Sequence, residues 1–90
     1  MMVQGRDTNL SPALCRAARG LLDWTQSDLA KYAQVSRSTV RDFEGSRHDI
    51  HRATGAQLRR AFEEHSVAFV IIDGIGPAVC QRQDQLARAT

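Results

Sequence analysis

Ninety residues allow one small domain and little else. A chain this short buries only about 60% of the surface its unfolded form exposes, which excludes a two-domain enzyme with a deep cleft. Apolar residues supply 42% and charged residues 24%, which excludes wholesale disorder.

The longest apolar run, Val67–Ile72, falls far short of the roughly 20 residues of a membrane-spanning helix. The opening residues, Met1 to Asp7, lack the apolar stretch of a secretory signal. A cytoplasmic protein with no membrane partner is expected.

The net charge is only +2, but it is unevenly placed. Residues 36–60 carry six arginines (37, 41, 47, 52, 59 and 60) against Asp42, Glu44 and Asp49, a local +3, while the rest of the chain sums to −1. A positive segment in a near-neutral chain suits contact with a polyanion, although solvated helix faces give the same pattern. Eleven of the twelve basic residues are arginine, the side chain suited to bidentate contacts with phosphate or base edges. Cys15 and Cys80 stand 65 residues apart and form no metal-ligand spacing with His48, His51 or His65. Two reduced thiols are expected, with no metal and no cofactor.

In chain order, residues 1–10 are polar and aperiodic and are expected to form a flexible arm. Ser11-Pro12 opens a first helix, with Leu14, Ala17, Ala18, Leu21 and Leu22 at helical spacing and an end near Asp23-Trp24. Thr25 caps a second helix, Gln26–Ala33, whose Asp28 complements the helix dipole. Gln34-Val35-Ser36 is a three-residue break. Ser36 then caps a third helix, Arg37–Glu44, with Val40 and Phe43 inward and Arg37, Ser38, Arg41 and Asp42 outward. Gly45 is expected to end it in the left-handed conformation.

After a loop over Ser46–Ile50, a fourth helix spans about His51–His65, weakened near its start by Gly55. Val67–Ile72, a glycine-bearing turn and a second strand to Gln83 read as a β-hairpin. Its first strand is apolar on both faces, so a symmetry mate is expected to cover it, with Val67, Phe69, Val70, Ile71 and Ile72 as dimerisation residues. Residues 84–90 form a tail. The division is thus an arm (1–10), a helical domain (11–66), a hairpin (67–83) and the tail.

The informative unit is Gln26 to Gly45. Small Ala30 and Ala33 let two helices cross closely, Val35 pins the turn, and the outward face of the third helix is free to enter a DNA major groove. With Cys15-Arg-Ala-Ala-Arg-Gly-Leu-Leu-Asp-Trp-Thr-Gln-Ser-Asp-Leu-Ala and Val35-Ser-Arg-Ser-Thr-Val-Arg-Asp-Phe-Glu-Gly45, this stretch resembles the helix-turn-helix of lambda-repressor/Cro-like (Xre) regulators. The resemblance implies a mainly α fold, a four-helix DNA-binding domain followed here by a C-terminal β-hairpin.

It further implies that Gln26 contacts a phosphate or adjacent base, that Arg37, Ser38 and Arg41 read bases, and that Thr39 and Ser46 meet the sugar–phosphate backbone. Ser36, Asp42, Arg47 and Arg52 complete the candidate DNA-facing set. Arg19 and Glu44 match a family ion pair between the first and third helices. Trp24 and Phe43 read as packing residues, and the turn Gly74-x-Gly76 is not a dinucleotide signature. No nucleophile–base pair is evident, so no enzyme is expected.

The expected function is sequence-specific binding of double-stranded DNA by a homodimer, most simply as a repressor on a palindromic operator. Two alternatives use the same residues. One is an antitoxin that also grips a toxin; the other is a protein-binding module that sequesters another regulator.

Overall fold

The computed structural model describes residues 3–4, 10–46 and 52–83. In chain order these form β1 (Val3–Gln4), α1 (Pro12–Leu22), α2 (Gln26–Ala33), α3 (Arg37–Gly45), α4 (Arg52–Glu63), β2 (Val67–Ile72) and β3 (Gly76–Gln81). The fold is mainly helical, with an antiparallel β2–β3 hairpin following the four helices, as the sequence implied.

Local chemistry starts the helices where expected. Ser11 Oγ accepts from the Leu14 N–H at 3.1 Å, and Pro12 opens α1. At α2 the cap is reciprocal: Thr25 Oγ1 accepts from the Asp28 N–H at 3.0 Å, and the Asp28 carboxylate accepts from the Thr25 N–H at 2.9 Å. Ser36 Oγ accepts from the Thr39 N–H at 3.0 Å and opens α3.

The helix ends differ more from expectation. Asp23 (φ 57°) and Gln34 (φ 60°) close α1 and α2 in the left-handed region without a glycine. That conformation costs a non-glycine residue about 1–2 kcal/mol. The N–H of each offsets it by reaching orphan carbonyls, those of Arg19 and Gly20 and of Ala30 and Lys31 respectively. Gly45, expected to be left-handed, instead remains inside α3. The chain leaves that helix through Ser46 in an extended conformation, its N–H donating to the Phe43 carbonyl at 3.2 Å, so no left-handed residue is required.

Within the described residues α4 occupies Arg52–Glu63 and ends before His65, because Ser66 (φ 71°) turns the chain into β2. His51 and the loop residues 47–50 lie outside the described residues. Gly55 has a structural reason: a Cβ there would sit 3.3 Å from Phe43 Cε1. The apparent weak point of α4 is where the helix packs against the Phe43 ring of α3.

Leu29, Val40, Leu58, Phe62, Val67 and Phe69 form the fully buried centre of one core. The sheet lies over it, β2 against α4 and β3 against α1. Phe69 meets Phe62 edge-on at 5.9 Å between ring centroids, and the Arg59 guanidinium lies 5.4 Å from the Phe69 ring centroid. Val67 and Phe69 are each 1% exposed. These two are therefore core residues of a single chain, not the dimer contacts expected of them. Both faces of the strand are apolar, and alternation alone could not say which face turned inward.

The sheet order is β1-β2-β3, with Val3 opposite Ile72 and Gln4 opposite Ile71. The segment expected to be a structureless arm thus contributes a two-residue strand. The physical cause is the unpaired edge of β2, whose backbone groups gain partners from β1 without a symmetry mate. The remainder of the arm and the tail at 84–90 lie outside the described residues. Among the described residues no helix is long and apolar enough to cross a membrane, and no group of three His, Cys, Asp or Glu could hold a metal ion.

Candidate nucleic-acid interface

α2 and α3 pack against each other through small and branched side chains, Ala30, Ala33 and Val40, all buried. Gln57 of α4 braces the turn between them, its Nε2 donating to the Ala33 carbonyl at 3.1 Å. This leaves one face of α3 in solvent: Arg37, Ser38, Arg41 and Asp42 are exposed and Thr39 is half-buried.

The start of α3 is a compact hydroxyl cluster. Ser36 Oγ lies 3.0 Å from Ser38 Oγ and 2.8 Å from Thr39 Oγ1, in addition to its capping bond. The Ser36 hydroxyl is therefore occupied in holding the helix start. Arg41 and Asp42 stand 3.7 Å apart with well-exposed side chains. A contact of that length and exposure is worth little and leaves the guanidinium available.

Behind this face, Glu44 anchors α3 to both preceding helices. Its carboxylate is almost fully buried and takes two bonds from Arg19, Nε to Oε2 at 2.7 Å and Nη2 to Oε1 at 2.9 Å. Gln26 Nε2 donates to Oε1 at 3.0 Å and Cys15 Sγ donates to Oε2 at 3.1 Å. Arg19 also reaches the Trp24 carbonyl at 3.0 Å, and Arg16 reaches the Glu44 carbonyl at 2.8 Å. One carboxylate thus ties α1, α2 and α3 into a fixed arrangement.

Burial by itself would raise the pKa of Glu44, but the hydrogen bonds from Arg19, Gln26 and Cys15 outweigh it and hold the carboxyl below its ordinary value. The bond to Glu44 raises Arg19. Burial, reinforced by the thiol's own hydrogen bond to Glu44 and by the carboxylate charge, pushes the Cys15 thiol up, so it stays protonated and donates.

A folded-state pKa below the unfolded one contributes stability above the unfolded value, and that stability is lost as pH falls through the folded value. Denaturant titrations between about pH 6 and pH 3 should therefore show wild type losing stability more steeply than Glu44→Gln. Parallel curves would count against Glu44 as the acid-sensitive group.

The other candidates are placed less centrally. Gln26 is half-buried and turned toward Glu44, so one amide hydrogen is already committed. Ser46 is half-buried at the end of α3, and Arg52 is exposed at the start of α4. Arg47 lies outside the described residues. Sequence reasoning missed Cys15, Arg16 and the Gln26–Glu44 bond. The available signal was spacing, since Cys15, Arg16 and Arg19 fall three and four residues apart on α1.

Trp24 packs against α2 and α4, stacked on Tyr32 at 4.6 Å and on Phe62 at 5.7 Å between centroids. It is a packing residue there, not a platform beside α3.

A family model described as helix-turn-helix matches residues 16–50, from within α1 through α3. The match supports a DNA-binding domain of a regulator, with DNA as its partner. No curated protein matches the chain.

Proposed function

We propose that this chain is a sequence-specific, double-stranded-DNA-binding transcriptional regulator that works as a homodimer in the cytoplasm. Each protomer sets α3 into the major groove of one half-site. Binding over a promoter then represses transcription. The observation that carries this reading is the exposed face of α3, with Arg37, Ser38 and Arg41 projecting from a helix locked to α1 and α2 through Glu44.

Arginines there suit guanine edges, each good bidentate contact giving about 1–3 kcal/mol of discrimination. The hydroxyls of Ser36, Ser38 and Thr39 crowd the α3 N-terminus, where backbone N–H groups favour a phosphate. Thr39, Ser46, Arg47 and Arg52 are assigned to the sugar–phosphate backbone and Gln26 to the phosphate or base next to it. Asp42 lies on the same face, where a carboxylate can accept from a cytosine amino group.

The test is selection of bound fragments from random duplex DNA. An inverted repeat should emerge, its half-sites about 34 Å apart or a multiple of that. Affinity for the recovered duplex should fall linearly on a log–log plot against salt. A pool that never enriches, or an affinity indifferent to salt, would remove DNA as the partner.

A further inference from the structure

The C-terminal end of a helix carries partial negative charge on its unpaired carbonyls, and a cation in the last turn normally offsets it. The last turn of α3 has no basic residue and adds the Glu44 carboxylate to that negative end. Both compensating cations come from α1. Arg19 pairs with the carboxylate, and Arg16 Nη1 donates to the Glu44 carbonyl at 2.8 Å. Two arginines against one carboxylate leave this end of α3 net positive.

The two arginines are disposed differently. Half-buried Arg19 directs its guanidinium inward, to both Glu44 oxygens and the Trp24 carbonyl. Arg16 is exposed, and among the described residues the Glu44 carbonyl is its one hydrogen-bond partner. The rest of its donor fork is unused.

Position matters as much as charge. From Arg37 to Gly45 α3 rises about 13 Å, against a major groove about 8.5 Å deep. With its first turn at the base edges, its last turn emerges at the rim, where the phosphates run. Ser46, assigned above to the sugar–phosphate backbone, is two residues beyond the carbonyl that Arg16 holds.

We infer that Arg16 is a phosphate-binding residue whose guanidinium, aligned by the Glu44 carbonyl, bridges the C-terminal end of α3 to a DNA phosphate at the groove rim. The inference rests on the DNA reading above and adds to it a contact from α1. The carbonyl bond orders the side chain before DNA arrives, so less freedom is lost on binding than for a detached surface arginine. A phosphate contact carries no sequence information, but it fixes how α3 sits in the groove. Counterion release sets its size: one neutralised phosphate changes affinity by roughly eightfold between 1 M and 0.1 M salt.

The experiment is fluorescence anisotropy of the full chain and of Arg16→Gln, Arg16→Ala and Arg16→Lys across a salt series, on the selected duplex and on a scrambled one. Glutamine keeps an N–H for the Glu44 carbonyl but carries no charge. Arg16→Gln and Arg16→Ala should weaken both duplexes by the same factor, about eightfold per bound protomer at 0.1 M salt. The salt slope should fall by about one unit per bound protomer. Arg16→Lys should keep the slope. In ethylation interference, one phosphate per half-site should hinder wild type when ethylated and cease to hinder Arg16→Gln.

An arginine that only caps α3 predicts a different pattern: Arg16→Ala melts lower with its salt slope intact, and Arg16→Gln matches wild type in both. Should Arg16→Ala fail to fold by circular dichroism, Arg16→Gln and Arg16→Lys decide the matter. An unchanged slope or an unchanged interference pattern in Arg16→Gln overturns the contact, while wild-type binding to the selected duplex upholds the DNA reading. A wild type that binds no duplex overturns that reading and this contact with it.

Discussion

Replacing Glu44 by alanine should cost about 3 kcal/mol of folding stability. Breaking a buried ion pair by removing one partner costs about 3–5 kcal/mol, because the other charge is left without compensation. Arg19 keeps about a fifth of its side-chain exposure and can recruit water, which places the effect at the low end. The Gln26 amide and the Cys15 thiol lose their acceptor as well.

A domain of this size has a total stability of about 5–13 kcal/mol, so the loss is a substantial fraction of the whole. In thermal unfolding it corresponds to a drop of about 12–24 °C. Arg19→Ala should be at least as damaging, since the carboxylate it strands is 4% exposed. A double variant that replaces both by leucine should recover part of the loss, because an apolar pair leaves no orphan charge. A Glu44→Ala protein melting within two or three degrees of wild type would show that the three helices are held by the apolar core alone.

The reason to expect a functional echo is geometric. Glu44 lies one turn beyond Val40 and on the inner side of α3, so its bonds to α1 and α2 set how the outer side projects. Loosening them leaves Arg37 and Arg41 in place along the helix but frees the helix to shift against α2. DNA affinity should then fall even at temperatures where Glu44→Ala remains folded.

Features set by neighbours in sequence were legible from the chain. Ser11-Pro12, Thr25 with Asp28, and Ser36 each bond within three residues of themselves, and all three mark helix starts in the structure. The Arg19–Glu44 pairing was suggested by a family resemblance rather than by spacing, since 25 residues separate the two. The four-residue spacing on α1 groups Cys15 with Arg19, but nothing local announces that Gln26 meets the same carboxylate.

The misplaced features have a common cause: they depend on which tertiary surface a segment finds. Asp23 and Gln34 take left-handed conformations because helix carbonyls need donors, not because their side chains favour it. Val3–Gln4 becomes a strand only because Ile71 and Ile72 present an edge. In β2 every residue is apolar, so period-two alternation carried no information about sidedness. The buried ring of Phe62 decides it, drawing Phe69 inward and leaving Val70 outward.

Arg37→Ala should weaken binding to the selected operator by about 5- to 150-fold, the equivalent of one bidentate base contact of about 1–3 kcal/mol. The side chain is exposed at the first turn of α3, where the helix end nearest the groove floor carries the base-reading residues. A phosphate contact and a base contact predict different patterns. Loss of a phosphate contact weakens all duplexes alike and lowers the salt slope by about one unit. Loss of a base contact weakens the selected duplex far more than a scrambled one, and repeating the selection with the variant relaxes one position in each half-site.

Arg37→Lys separates charge from geometry, since lysine keeps the positive charge but cannot present two parallel donors to a guanine. It should resemble Arg37→Ala on the selected duplex and wild type on a scrambled one. Fluorescence anisotropy at fixed salt reads both. Equal weakening on the two duplexes would move Arg37 to the phosphate backbone and pass the reading of bases to Arg41 and Ser38.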